Sequence, residues 1–141
     1  EGRTPELVVT RDHVFAKWWN NVGKERGLGG VPFRHFGQNE VPWVRVNERP
    51  RRSSRPLGFS GTVGLWHATE NADFVVLTGF DLDSQLYEMQ IPEWRGILNH
   101  IPHATRRVFR TKELTGPLRD KLQVWPGYAD AAPIAGTPSP E

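Results

Sequence analysis

Between Arg11 and Gly30 the stretch RDHVFAKWWNNVGKERGLGG sets Val14, Phe15, Trp18, Trp19 and Val22 at the i, i+3, i+4 spacing of an amphipathic helix. No other stretch constrains the fold as much, because a helix with such a stripe must bury it against a second layer. Thr10 or Asp12 can cap its first turn, and Gly27, Gly29 and Gly30 end it. Trp18 and Trp19 are adjacent, so both cannot lie at the centre of one stripe, and one of them is expected to remain partly exposed.

The second layer is expected to be a sheet. VPFRHFG and VPWVRV are short β-type runs punctuated by Pro32 and Pro42, which suits edge strands. From Phe59 the pattern alternates: TVGLWHAT, a turn at residues 70–72, FVVLTGF, a turn around residues 82–84, then QLYEMQI. These runs predict a three-stranded antiparallel meander over about residues 59–91. Pro92 opens a short helix in EWRGILNHI, RRVFR is extended, and TGPLRDKLQVW offers Thr115 as the cap of a second short helix. The expected architecture is one small α+β domain over residues 1–126, its N-terminal helix packed on a curved antiparallel sheet, with one or two short C-terminal helices. Residues 127–141, with Pro133, Pro138 and Pro140, are expected to form a tail or linker.

The chain has no cysteine, which excludes disulfides, zinc–thiolate centres and cysteine nucleophiles, so any metal would need His, Asp or Glu. No apolar run approaches the roughly 20 residues of a membrane-spanning helix, and no basic-then-apolar leader follows Glu1. These features lead us to expect a trimmed or excised intracellular domain, cytoplasmic and without a membrane partner. There is no G-x-S-x-G, phosphate loop or dinucleotide fingerprint, and GLGG follows a helix instead of opening one. His100 and His103 are separated by Pro102, so they do not form a one-face zinc pair. His35 and His67 have the chemistry of general bases but sit in no catalytic spacing.

Charge carries the main functional signal. The net charge is only +2, yet the positive residues are segregated. Arg45, Arg49, Arg51, Arg52 and Arg55 fall around an expected exposed loop at residues 47–58, and Arg106, Arg107, Arg110 and Lys112 form a second cluster. Segregated arginine is what a phosphate backbone rewards, through bidentate contacts and counterion release. Phe33, Phe36, Trp43 and Trp66 lie nearby and can stack on unpaired bases. The leading expectation is therefore a nucleic-acid-binding module, directed to DNA more than RNA. The alternative for the same arginines is an acidic protein surface.

A third expectation concerns the acids. If FVVLTGF and QLYEMQI form a hairpin, Asp81 lies diagonal to Glu88, with Gln90 on the same face, and both carboxylates can reach one Mg2+. This Asp, Glu-x-Gln arrangement over residues 81–90 resembles the acidic strand pair of the restriction-endonuclease-like nucleases, with Gln90 where that superfamily usually has lysine. The resemblance implies metal-dependent phosphodiester cleavage, with Asp81 and Glu88 as metal ligands and Gln90 in the catalytic set. The plainer reading of the same strand buries Tyr87, Met89 and Ile91 and leaves Glu88 and Gln90 in water.

Overall fold

The computed structural model describes residues 5–47, 53–111 and 115–126, and its helices and small sheets make an α+β fold. Strand β1 (Val8–Thr10) pairs in parallel with β2 (Phe33–His35), and the crossover between them is the expected helix. Helix α1 (His13–Trp18) starts where Asp12 accepts from the Val14 amide at 2.8 Å. It runs on through a π turn at Trp19–Gly23 and a 3-10 turn at Lys24–Arg26, and stops at Gly27, whose φ of 89° favours glycine. Trp19 is buried and stacks on Phe33 with ring centroids 4.7 Å apart, while Trp18 stays partly exposed. The stripe is rotated from expectation, with Ala16 buried and Val14 left 63% exposed. The buried positions, Ala16, Trp19 and Gly23, are three and four residues apart, so a narrow stripe continues through the π turn and Val14 and Trp18 fall beside it.

Strands β3 (Trp43–Asn47) and β4 (Ser53–Pro56) form an antiparallel hairpin in which Trp43 faces Pro56, Val44 faces Arg55 and Arg45 faces Ser54. The expected loop over 47–58 is therefore a strand at residues 53–56, since pairing satisfies the backbone groups that β3 would otherwise leave open. Arg49, Arg51 and Arg52 lie in the hairpin connection, outside the described residues.

The meander over 59–91 does not form. TVGLWHAT belongs to helix α2 (Ser60–Asn71), and QLYEMQ is a 3-10 helix at Gln85–Gln90 leading into α3 (Ile91–His100). Only FVVLTGF yields a strand, β5 (Val75–Leu77). Met89, placed in the core by alternation, is 82% exposed. Strand β5 pairs in parallel with β6 (Val108–Arg110), which pairs in parallel with β7 (Gln123–Val124). The connection between β5 and β6 contains α3 and the single turn α4 (Ala104–Arg107), as a parallel pair requires. The segment after Thr115 is not the expected second helix. It makes turns, buries Leu118 and Leu122, and ends in β7. The expected tail, 127–141, lies outside the described residues.

Helix α2 is secured by two charges from later segments. At its N-terminus the fully buried Glu93 carboxylate, on the first turn of α3, accepts from the Gly58 amide at 3.0 Å, the Phe59 amide at 3.1 Å and the Thr62 hydroxyl at 2.5 Å. Arg55 Nε adds an ion pair at 3.4 Å. At its C-terminus the Arg107 guanidinium donates to the carbonyls of Thr69, Ala72 and Asp73 at 2.8–2.9 Å. Acid at the N-terminus and base at the C-terminus both oppose the helix macrodipole. The helix also comes close to α3: a Cβ added at Gly61 would lie 3.0 Å from both the Trp94 indole and the Phe80 ring. Leu57, Val63, Trp94, Ile97, Val108 and Leu118 form the centre of the core. Among the described residues no helix is long and apolar enough to cross a membrane.

Candidate functional site

Helix α3 has two faces. Trp94, Ile97 and Leu98 point into the core, whereas Pro92, Arg95 and Asn99, spaced three and four residues apart, line a groove against β3. The helix comes this near because residue 96 is glycine: a Cβ there would meet the Arg45 carbonyl at 2.6 Å and Val44 Cγ2 at 3.1 Å. The groove encloses about 730 Å3, with Trp43 and Arg45 on its β3 wall and Arg95, Asn99 and His100 on its α3 wall. No acidic residue is among its described lining, and Lys121 Nζ donates to Asn99 Oδ1 at 2.9 Å, which brings a further cation to the rim. Trp43 is 56% exposed.

The other aromatics proposed for stacking are committed to the fold. Phe33 is stacked on Trp19, and Phe36 is buried with its ring edge-on to Trp66. Trp43 is the most exposed of the four, since strand alternation turns Val44 into the core and Trp43 and Arg45 away from it.

The arginines separate by role. Arg45 lines the groove, and Arg55 is bound to Glu93. Arg106 and Arg107 border a different cavity with His103, Phe109 and Val124, where Arg106 Nη2 lies 2.7 Å from His103 Nδ1. Arg107 is spent on the α2 carbonyls, Arg110 is buried in β6, and Lys112 lies outside the described residues. The described members of the two clusters therefore do not share one groove. Arg95 was missed in the sequence. Its signal was available, because Arg95 and Asn99 lie at i and i+4 on the polar face of an otherwise apolar helix.

The acidic residues are not arranged as a hairpin site. Asp81 sits in the turn after β5, and Glu88 and Gln90 lie on the 3-10 helix, where residues two apart point to different sides. The face that alternation gave Asp81, Glu88 and Gln90 in common is thus lost. Gln90 Oε1 accepts from the Trp94 indole at 3.3 Å. Asp83 accepts from the amides of Thr115 and Gly116 at 2.9 and 2.8 Å, fastening the turn to the segment before β7. Among the described residues no group of three or more His, Asp and Glu could hold a metal ion.

Glu40, in the 3-10 turn at Gln38–Glu40, has a displaced titration. Glu40 accepts from the Gly37 amide at 2.7 Å, and that bond, together with Arg34 at 3.6 Å, holds its pKa below the ordinary glutamate value of 4.5, against a smaller opposing effect of desolvation. No known protein family, curated protein or solved structure matches the chain.

Proposed function

We propose that the chain is a nucleic-acid-binding module that takes a single-stranded DNA segment into the groove between β3 and α3. The observation that carries this reading is the exposed Trp43 ring beside Arg45 and Arg95 in a groove without a described acid. An exposed aromatic ring with cations at both sides is the arrangement that stacks a base while neutralising its flanking phosphates. Arg49, Arg51 and Arg52, outside the described residues, follow β3 closely in the sequence. Arg45 and Arg95 would hold phosphates, His100 and Asn99 would donate or accept at base or sugar edges, and Trp43 would stack.

The test is fluorescence anisotropy of a labelled oligothymidine at several salt concentrations. Affinity should fall with salt, with a log–log slope of about 0.7 per phosphate contact. Trp43→Ala should weaken binding by about 1–3 kcal/mol, the worth of one base–aromatic stack. Arg45→Glu with Arg95→Glu should abolish it. Undetectable binding at low salt, or binding that survives both charge reversals, would remove the proposal.

A further inference from the structure

Two charged side chains are buried among the described residues, Glu93 and Arg110. Glu93 has its oxygens met by two amides, a hydroxyl and Arg55. Arg110 differs. It is 8% exposed, and its Nε and Nη1 are buried without a hydrogen-bond partner among the described residues. A buried guanidinium with unmet donors is a costly arrangement that native structures rarely keep without an acceptor to fill it.

The position of Arg110 indicates what that acceptor is. Arg110 ends β6, the central strand of the parallel sheet, and pairs with Leu77, the last residue of β5. The carboxyl ends of parallel strands are where open sheets with helical crossovers hold their ligands. Here they border a cavity of about 180 Å3, lined by Leu77, Gly79, Phe80, Asp81, Arg110 and Thr111. Gly79, at φ 82°, turns the chain after β5 around this cavity.

We propose that this cavity binds a small monocarboxylate, held by the fork of Arg110. Two edges of the guanidinium each offer a pair of parallel N–H donors, Nη2 with Nε or Nη2 with Nη1, that match a carboxylate's two oxygens. The volume is below the roughly 300–1,000 Å3 of sites for drug-sized ligands, so the molecule is small. Asp81 on the same wall disfavours a second negative charge, which selects a monoanion over a phosphate dianion. Leu77 and Phe80, whose ring meets Trp94 edge-on at 5.4 Å, give an apolar wall for a short hydrocarbon part. The site is on other elements than the β3–α3 groove and does not depend on what that groove binds.

The experiment is an NMR titration of arginine Nε–H resonances with sodium acetate and sodium propionate, against sodium chloride and sodium phosphate at equal ionic strength. The Arg110 resonance, identified by its disappearance in Arg110→Lys or by correlation to its backbone where that variant does not fold, should shift saturably with both carboxylates. Chloride should leave it in place, and phosphate should bind about tenfold more weakly or worse. Asp81→Asn should narrow that gap by improving phosphate binding. An Arg110 resonance unmoved by either carboxylate, or moved equally by chloride, overturns the site. Phosphate binding as tight as acetate in the unsubstituted protein overturns the monoanion preference.

Discussion

Replacing Glu93 tests whether α2 is held by a carboxylate brought from another helix. The acid is fully buried, so its partners cannot simply exchange it for solvent. They differ in what they lose. Gly58 is an exposed residue, Phe59 is half-buried and Thr62 is fully buried, so the loss is least at Gly58. Thr62 has one hydroxyl proton and two acceptors in reach, Glu93 Oε2 at 2.5 Å and the Phe59 carbonyl at 2.9 Å. With Glu93 gone it falls back on the carbonyl and is not orphaned. The main losses in Glu93→Ala are then charge-assisted bonds worth about 1.5–3 kcal/mol each, less this replacement. A total of about 3–5 kcal/mol, the usual cost of breaking a buried pair, is expected. Glu93→Gln keeps the shape and one acceptor oxygen but loses the charge, and should cost about 1.5–3 kcal/mol. Arg55→Met should cost about 1 kcal/mol at most, because the Arg55 side chain is 46% exposed and its ion pair is screened. Urea unfolding followed by far-ultraviolet circular dichroism and tryptophan fluorescence reads these values as shifts in midpoint at constant slope. A Glu93→Gln variant within about 0.5 kcal/mol of the parent, or an Arg55→Met variant as damaged as Glu93→Ala, would show that the helix end does not stabilise the carboxylate, or is not stabilised by it.

Four further outcomes follow from other contacts. Arg107→Ala removes the donors to three carbonyls and should cost about 1–2 kcal/mol, with hydrogen exchange accelerating first in the last turn of α2. Gly96→Ala should destabilise by about 1–3 kcal/mol, because its Cβ meets backbone that cannot move aside, and should weaken oligonucleotide binding by parting α3 from β3. Gly64→Ala, with nothing within 4 Å of its Cβ, should instead stabilise α2 by up to about 1 kcal/mol. Glu40 has a folded pKa below its ordinary 4.5, so its contribution is present above that value and is lost as pH falls through the folded pKa. Glu40→Gln should therefore lower stability slightly at neutral pH, converge with the parent in acid, and so flatten the acid limb of a stability–pH curve.

Local signals were legible where local physics decides. The Asp12 cap, the Gly27 stop and the division of Trp18 from Trp19 all rest on groups within a turn of one another, and all are present. Helix α2 was not legible. SGTVGLWHATEN contains two helix-weakening glycines, β-branched Thr62 and Val63, and an alternation of Val63 and Leu65 that reads as a strand. What makes it a helix arrives from Glu93, 31 residues beyond Thr62, and from Arg107, 38 residues beyond Thr69. QLYEMQI failed for a related reason: its alternation is genuine, but a half-exposed 3-10 helix can carry it by leaving Met89 in water. The arginine clusters were legible as charge. Their separate employments, at a helix end, inside a sheet and along a groove, depend on contacts that spacing does not record.

The dependence of α2 on later residues also orders the folding of the chain. A helix of twelve residues with two glycines and no side-chain cap of its own is marginal in isolation. During synthesis it emerges well before Glu93 and Arg107, so its ends wait open until α3 and α4 have followed it out. Strands β5 and β6 wait as well, since their pairing closes over the same connection. Segments 60–71 and 91–110 are therefore expected to condense in one step, and a fragment ending before Arg107 would have the residues of α2 without the helix.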